Sequence, residues 1–292
     1  MEEVGKNIYL IPGTNNGNFP FSHSVLITDR INVLIDAGCG AETLKTLQKS
    51  LSLHMIIYSH AHPDHCSGCG SFPDESLWGP REHRDSTGNL EKMAARFTVP
   101  ELQPNWISYW RESVGFQEFR ASRFYDGDHL FDFGTITMKP VRVPGHCDDH
   151  YCFYLPNEKI MLTTDIDFTP FGPWYANPEA DIDLFMDSIN RIRRHDIETV
   201  ISSHRGVIRK DIDRCFREFL GIFEARENKI LEFLSTPRSM EDFVEAALIY
   251  GTYPRYRGLI LRFWEKQMIS KHLHRLLRKG MIGKKDGKFY LV

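Results

Sequence analysis

The sequence predicts an α/β protein with a large first domain and a small basic module at its carboxyl end. Short apolar runs alternate with helical patterns through the first two-thirds of the 292 residues. The charge then changes: the whole chain carries −3, but residues 236–292 hold twelve Lys and Arg against five Asp and Glu. A composition shift of this size indicates a boundary between two modules. We therefore predict a main domain over 1–234 and a second domain over 235–292.

Strands are predicted where Val and Ile cluster between turn residues. Ala41–Ser50 and Ile182–His195 are predicted helices, the first because Leu44 and Leu47 recur at i, i+3 spacing. Several predicted strands are followed directly by polar residues. The predicted strands are Asn7–Ile11, Ser24–Ile27, Asn32–Asp36, His54–Ser59, Tyr151–Leu155, Lys159–Thr164 and Thr199–Ser203, with further alternating strands in Phe131–Val143.

A helical insertion is predicted over about residues 91–125, where the alternating pattern stops. The favoured interpretation is that its aromatic residues pack the insertion onto the main domain. The alternative is a wall or lid over a pocket, since long insertions often carry function. The aromatic residues concerned are Trp106, Tyr109, Trp110, Phe116, Phe119 and Phe124.

The carboxyl-terminal third begins with a long amphipathic helix, Asp211–Leu234, which ends before Pro237. Ser239 and Asp242 have the spacing of a capping box and predict a new helix. One or two further helices are expected in Arg257–Lys279. Asp286-Gly287 then predicts a hairpin between two short terminal strands. Helices followed by such a hairpin resemble a winged helix-turn-helix module.

The segment Tyr58–His65 concentrates metal-ligand chemistry in one loop. Three histidines and an aspartate, His60, His62, Asp64 and His65, lie within six residues after an apolar strand. Imidazole nitrogens and carboxylate oxygens are ligands that zinc and similar divalent cations accept. Clustered histidines on a surface would be the alternative. The spacing favours ligands, because His60 and His62 can face one way while Asp64 and His65 face another.

H-x-H-x-D-H after a strand resembles the signature of the metallo-β-lactamase superfamily. Four further motifs follow the family pattern in the expected order over about residues 7–206. Leu34-Ile-Asp36-Ala-Gly38 is similar to an early family turn, in which Asp36 would support a ligand. The other three are Pro144-Gly-His146, Thr163-Thr-Asp165 and Ser202-Ser-His204-Arg-Gly206.

The resemblance implies an αββα sandwich with two adjacent metal sites at one edge. His60, His62 and His146 would hold one ion, Asp64, His65 and His204 the other, and Asp165 would bridge them. The expected cofactors are two divalent cations per chain, zinc first, with iron or manganese as alternatives. A metal-bound hydroxide would then attack a carbonyl carbon or phosphorus, and Asp64 would also orient the hydroxide and handle a proton.

The sequence departs from the family pattern after His146, where Asp148-Asp149 stands in place of the usual Pro-Gly before His150. We interpret Asp148 as a solvated loop acid, with support of a ligand as the alternative, and His150 as structural. Cys66 and Cys69 are interpreted as packing residues rather than a redox or zinc pair. The aromatic loop Phe168–Tyr175 would either pack or form an apolar wall of a substrate pocket.

The superfamily acts on many substrates, so fold and ligands do not fix the reaction. The complete motif resembles the glyoxalase II-like dinuclear branch, which favours an ester, thioester or lactone of a small molecule. A basic winged-helix tail resembles the β-lactamase-like protein 2 group and suggests RNA cleavage as the alternative. A redox enzyme holding iron is a further alternative. The tail cations available for nucleic acid are Arg262, Lys266, Lys271, Arg275, Arg278, Lys279, Lys284 and Lys285, although packing onto the acidic first domain is the favoured role.

The remaining expectations concern environment and assembly. No run of about 18 apolar residues exists, so no membrane association is expected. The amino terminus, MEEVGKNIYL, lacks the apolar stretch of a signal peptide, which predicts a cytoplasmic location. The six cysteines are then expected to be reduced. A homodimer is compatible with the second domain.

Overall fold

The computed structural model describes residues 1–254 and 258–292, and two mixed β-sheets form its centre. In the first sheet, β1 to β4 are antiparallel and β4 to β7 are parallel, so that each strand pairs with the next along the chain. Its strands are β1 (Glu2–Gly5), β2 (Ile8–Ile11), β3 (Ser24–Thr28), β4 (Asn32–Ile35), β5 (Met55–Ile57), β6 (Leu77–Pro80) and β7 (Arg123–Tyr125).

The second sheet has six strands, and its neighbours also follow chain order. The parallel pair is β11 with β12, and the other pairs are antiparallel. Its strands are β8 (Phe131–Asp132), β9 (Thr137–Arg142), β10 (Tyr151–Leu155), β11 (Ile160–Thr164), β12 (Thr199–Ser202) and β13 (Gly206–Ile208).

Both faces of each sheet are buried, and alternate side chains of a strand pack on opposite faces. In β4, Val33 and Ile35 pack between the sheets, whereas Leu34 points outward against helix α1 (Ala41–Ser50). In β10, Phe153 lies between the sheets and Cys152 lies on the outer face. Strands that are covered on both sides have near-continuous apolar sequences, as these do.

Helices cover the outer face of each sheet and complete an αββα arrangement. Helices α1 and α3 pack on the first sheet, and α5 and α6 pack on the second. The expected sandwich is therefore present, and Ala41–Ser50 and Tyr151–Leu155 have the predicted bounds. The remaining helices of this part are α2 (Pro63–Cys66), α3 (Leu90–Phe97), α4 (Gln103–Ser108), α5 (Ile182–Ile192) and α6 (Ile212–Phe233).

The predicted insertion is helical only in its first part. After α4, a π-helical segment continues to Val114, but Arg123–Tyr125 is β7, the edge strand of the first sheet. Tyr125 is buried and donates a hydrogen bond to the carbonyl of Tyr58, which fastens this strand. Trp110 and Phe116 are buried against the first sheet and its helices, as the packing interpretation predicts.

The chain ends in two helices and a three-stranded sheet. Ser239 and Asp242 form the predicted capping box. Asp286 and Gly287 have positive φ angles, as a tight hairpin turn requires. The predicted helix start at Arg257 lies outside the described residues. The elements are β14 (Arg238–Ser239), α7 (Met240–Ala246), α8 (Gly258–Arg278), β15 (Ile282–Lys285) and β16 (Lys288–Leu291).

Ion pairs join α8 to the helices of the second sheet. Arg275 contacts Asp183 (Nε–Oδ1, 2.5 Å) and Glu227, and Arg278 contacts Asp183 (2.6 Å). Lys279 contacts Glu227 at 3.1 Å. Several basic residues near the carboxyl end therefore pair with acids of α5 and α6, which is the kind of contact that the favoured packing role predicts.

Glu227 provides a test of this interface. We expect Glu227→Gln to lower the free energy of unfolding by about 3 kcal/mol at neutral pH, because it removes one partner of a buried ionic network. Burial acts to raise the pKa of Glu227, but His272, Arg275 and Lys279 lower it to about 2, from 4.5. The stabilisation is thus complete above about pH 4.5 and is lost as the pH falls toward 2. Urea unfolding of variant and wild type should show their difference shrinking over that window; a pH-independent difference would contradict it.

The six cysteines are free thiols.

Within residues 1–254 and 258–292, no helix combines the length and hydrophobicity needed to cross a bilayer.

Candidate metal centre

Loops at one edge of the two sheets carry all seven residues of the predicted metal site. The loop after β5 and the short helix α2 supply His60, His62, Asp64 and His65. From the second sheet, loops after β9, β11 and β12 supply the other three: His146, Asp165 and His204. The structure therefore brings together every residue that the motifs selected, although they span 145 positions of the chain.

The first ligand group consists of His60, His62 and His146. His62 Nδ1 lies 2.9 Å from His60 Nε2 and 2.8 Å from His146 Nε2, so the three nitrogens converge. Zinc binds imidazole nitrogen at about 2.0–2.1 Å, which requires nitrogens in such proximity. The group fits one cation.

The second ligand group consists of Asp64, His65 and His204. Asp64 Oδ2 lies 3.6 Å from His204 Nε2 and 3.9 Å from His65 Nε2. Their ligand atoms lie within 4.8 Å of one another. This mixture of nitrogen and oxygen donors also fits a divalent cation.

Asp165 lies between the two groups, with one oxygen toward each. Its Oδ2 is 3.1 Å from His146 Nε2, and its Oδ1 is 2.8 Å from His65 Nε2 and 3.4 Å from His204 Nε2. Asp165 Oδ1 and His65 Nε2 face each other at 2.8 Å as an ion pair, but within the described part of the chain neither buried atom has a partner in hydrogen-bond geometry. Such buried atoms require a compensating partner, and a bridged pair of cations would provide it.

The second ring nitrogen of each histidine is held by another group, which fixes the ring orientation. His65 Nδ1 lies 2.7 Å from Asp36 Oδ2, the residue that the early motif selected for this role. Main-chain oxygens and polar side chains hold the others: His60 Nδ1 by Ser59 (2.9 Å), His146 Nδ1 by the Trp174 carbonyl (2.7 Å), His204 Nδ1 by the Gly17 carbonyl (2.6 Å) and His62 Nε2 by the Asn177 amide (2.5 Å).

Charge is distributed unequally between the groups. Burial, with the nearby positive charge of His65, lowers the pKa of His60 well below 6.5. Burial also acts to lower the pKa values of His65 and His204, but the effect of the neighbouring carboxylates is larger. They raise the pKa of His65 well above 6.5 and that of His204 to about 9. Without a cation, the second group therefore carries protons where a cation would bind.

We expect cation binding at the second group to release about two protons near pH 7.5, because His65 and His204 bind a cation only as neutral imidazoles. The release should fall as the pH rises past about 9, where His204 has already lost its proton. Titration of Zn²⁺ into chelator-treated protein, by calorimetry in buffers of different ionisation enthalpy, measures this number. Release near zero at about pH 7.5 would contradict the assignment of these two histidines.

Sequence reasoning missed a buried ionic cluster behind the loop that carries His60 and His62. Asp149, which is 0% exposed, accepts from the backbone N–H of Ala61 (3.1 Å) and pairs with Arg96 (2.5 Å). Arg96 also pairs with Glu179 (2.5 Å). Burial acts to raise the pKa of Asp149, but Arg96 lowers it to about 2. Asp149 is therefore ionised, and its hydrogen bond with Ala61 holds the loop at the position between His60 and His62.

The positions of Asp148 and His150, on either side of Asp149, are those that the sequence interpretation predicted. The Asp148 side chain is 47% exposed, as expected of a loop acid. His150 is buried and contacts the Val143 carbonyl (3.1 Å) and Thr164 (2.7 Å), which makes it structural. Cys66 and Cys69 are also buried in the core.

Cys147 and Asn177 are two further residues beside the first ligand group that sequence reasoning did not select. The Cys147 sulfur lies within 4.8 Å of the ligand atoms of His60, His62 and His146. Burial, with the charge of Asp149, raises its pKa well above 9.0, so it is a neutral thiol. Nothing in their local sequence marks either residue, because both reach the site through the fold.

Comparison with known proteins agrees with this arrangement. The family model described as "Metallo-beta-lactamase superfamily" matches residues 17–204. An "Atrochrysone carboxyl ACP thioesterase" of Claviceps purpurea (strain 20.1) is 27% identical over 267 residues, covering 86% of this chain and 74% of that protein. A "Hydroxyacylglutathione hydrolase" of Francisella philomiragia is 26% identical over 147 residues, covering 50% of this chain and 46% of that protein.

Solved structures show the same fold. The crystal structure of a metallo-beta-lactamase family protein from Thermus thermophilus matches with a TM-score of 0.75 at 18% identity, covering 99% of this chain and 100% of that one. The family match spans more than half of the chain and includes all seven clustered residues. The chain therefore belongs to the metallo-beta-lactamase superfamily and is a hydrolase.

Proposed function

We propose that this chain is a dinuclear metal-dependent thioesterase. The observation that carries the proposal is the position of Asp165, with one carboxylate oxygen toward each ligand group. Two of the similar proteins are named for thioester hydrolysis or for a glutathione thioester. The glyoxalase II-like assignment belongs to this proposal, and zinc remains the expected metal.

The ligand groups define which residues would hold the cations. His60, His62 and His146 would hold the first, and Asp64, His65 and His204 the second; Asp165 would contact both. When bound, two such cations lower the pKa of water and polarise the scissile carbonyl. The histidines bind as neutral donors, so their own protons leave to solvent beforehand.

Asp64 is the residue that we propose for proton transfer. Its Oδ2 lies 3.9 Å from His65 and 3.6 Å from His204, and the residue is almost fully buried beside these two histidines. There it would accept a proton from the attacking water and deliver it to the sulfur of the departing thiol. Proton transfer by a positioned carboxylate is ordinary general acid–base catalysis.

The surroundings of the site favour an acyl substrate over a polyanion. The side chain of Trp174 contacts the rings of His62 and His146, at centroid distances of 5.6 and 5.7 Å. Arg275, Arg278 and Lys279, which a nucleic acid would need, pair instead with acids of the first domain. Ribonuclease activity, redox activity, a homodimer and a cytoplasmic location stay predictions, and the winged-helix assignment of residues 235–292 stays a resemblance.

A panel of substrates tests the proposal. Zinc-loaded protein should hydrolyse pantetheine thioesters, and a chelator should abolish this activity until zinc is restored. The oxygen esters of the same acids serve as the matched comparison, and a phosphodiester and single-stranded RNA test the alternative. Hydrolysis of RNA without hydrolysis of any thioester would overturn the assignment.

A further inference from the structure

We propose that the C-terminal module supplies part of the substrate-binding surface, and that this surface binds a flat, apolar acyl group. The surface, called the acyl wall below, consists of Phe19, Trp174, Tyr250 and Trp264. The inference rests on the proposed thioesterase function and names its substrate class: a thioester of an aromatic acid.

The acyl wall is continuous with the metal-binding residues. Trp174 contacts the first ligand group through His62 and His146. Phe19 lies two residues after Gly17, whose carbonyl holds His204 of the second group at 2.6 Å. The wall thus contacts the first ligand group through Trp174 and shares a loop with the residue that holds His204 of the second group.

Trp264 of helix α8 connects these two ends. Its ring packs edge-on against Trp174 (5.4 Å between centroids, 89°) and against Phe19 (5.9 Å, 87°). Tyr250 stacks on it at 6.4 Å and 26°. Phe19 is 39% exposed, and the other three residues are partly exposed, so the wall is accessible beside the site. Edge-on and stacked contacts are those that aromatic rings prefer, and a planar ligand can add to them.

Hydrogen bonds fix the rings before any substrate arrives. The indole N–H of Trp174 donates to the Tyr250 hydroxyl (2.8 Å). The buried carboxylate of Glu265, next to Trp264, accepts from the backbone N–H groups of Ile249 and Tyr250, each at 3.0 Å. A preorganised surface loses little entropy on binding, which favours a rigid planar partner.

Residues of α6 and α8 also form hydrogen bonds with the loop that carries Trp174. Arg226 of α6 donates to the carbonyls of Pro173 (2.5 Å) and Phe171 (2.6 Å). The Tyr175 hydroxyl forms a hydrogen bond with Nε2 of His272, on α8, at 2.7 Å. Removal of one ring from the wall should therefore change ligand selectivity without displacing the loop.

Binding of two inert analogues tests the proposal. The probes are pantetheine ketones in which a CH₂ group separates sulfur from the carbonyl carbon, which carries either a 2-naphthyl or a methyl group. Calorimetry with the zinc-loaded, full-length protein should show at least about tenfold tighter binding of the naphthyl ketone, since even one methylene in an apolar pocket discriminates by about 10- to 200-fold. Trp264→Ala should reduce this preference to less than about threefold, and Trp264→Phe should keep most of it.

Tyr290→Ala is the matched control, because Tyr290 is an exposed aromatic residue of the same module on β16. It should leave the preference unchanged. Thermal unfolding and zinc content of each variant show whether the module is still folded. Wild-type protein without a preference, or a preference that persists in folded Trp264→Ala, would overturn the acyl wall. Failure of the thioesterase function is separate: it would appear as absent thioester turnover in the wild type, whatever the analogues show.

Discussion

Asp64→Ala is expected to reduce thioester hydrolysis by about 10²-fold or more, because proton transfer by a positioned group contributes that much to catalysis. Asp64 is also a member of the second ligand group, so one cation should bind more weakly. The fold should persist, since the substitution keeps the main-chain contact of this residue: its carbonyl accepts from the Ser22 hydroxyl at 2.8 Å.

Steady-state kinetics with saturating zinc separate the two effects. Asp64→Asn retains the size and one oxygen of the side chain but cannot accept the proton as a carboxylate does. Asp128→Ala, a change in an exposed loop acid, is the control. A folded Asp64→Ala protein with near-normal turnover would contradict the proposed role.

Asp149→Ala is expected to have the largest effect on stability, about 3–5 kcal/mol, because it leaves part of the buried charge of Arg96 uncompensated. The Arg96 side chain is 7% exposed and would keep Glu179 as its ionic partner. The backbone N–H of Ala61 would also lose its acceptor. The loop between His60 and His62 should therefore loosen, and zinc affinity should fall.

Denaturant unfolding of chelator-treated protein measures the first effect, and zinc titration measures the second. Asp148→Ala provides an adjacent control, since this half-exposed carboxylate should contribute no more than about 1 kcal/mol. Equal destabilisation by the two substitutions would show that the buried pair has no special role.

The ligand cluster could be predicted because its information is local. His60 to His65 occupy six positions of one loop. His146, Asp165 and His204 each lie in a short motif that resembles the family pattern and follows a strand. The sandwich was expected from the resemblance to the metallo-β-lactamase superfamily, and the structure shows the alternation that it requires, since Val33 and Leu34 face two different cores. Short apolar runs therefore defined most of the strands to within one or two residues.

The parts that could not be predicted depend on contacts between distant segments. Arg96 and Asp149 lie 53 positions apart, and one of two adjacent aspartates is buried while the other is solvated. The Arg123–Tyr125 strand was assigned to a helical insertion because three residues carry too little periodicity to identify β7. The position of Trp264 beside the site depends on how α8 packs, which its sequence alone does not specify.

Metal content is the most direct test of the central claim, that each of the two ligand groups binds one cation. Elemental analysis of protein purified without chelators should find about two divalent ions per chain, zinc being the expected metal. Loss of Asp165, which contacts both groups, should lower this number, whereas the Asp128→Ala control should not. A reproducible content well below one ion per chain, with no recovery after addition of zinc, manganese or iron salts, would contradict the account.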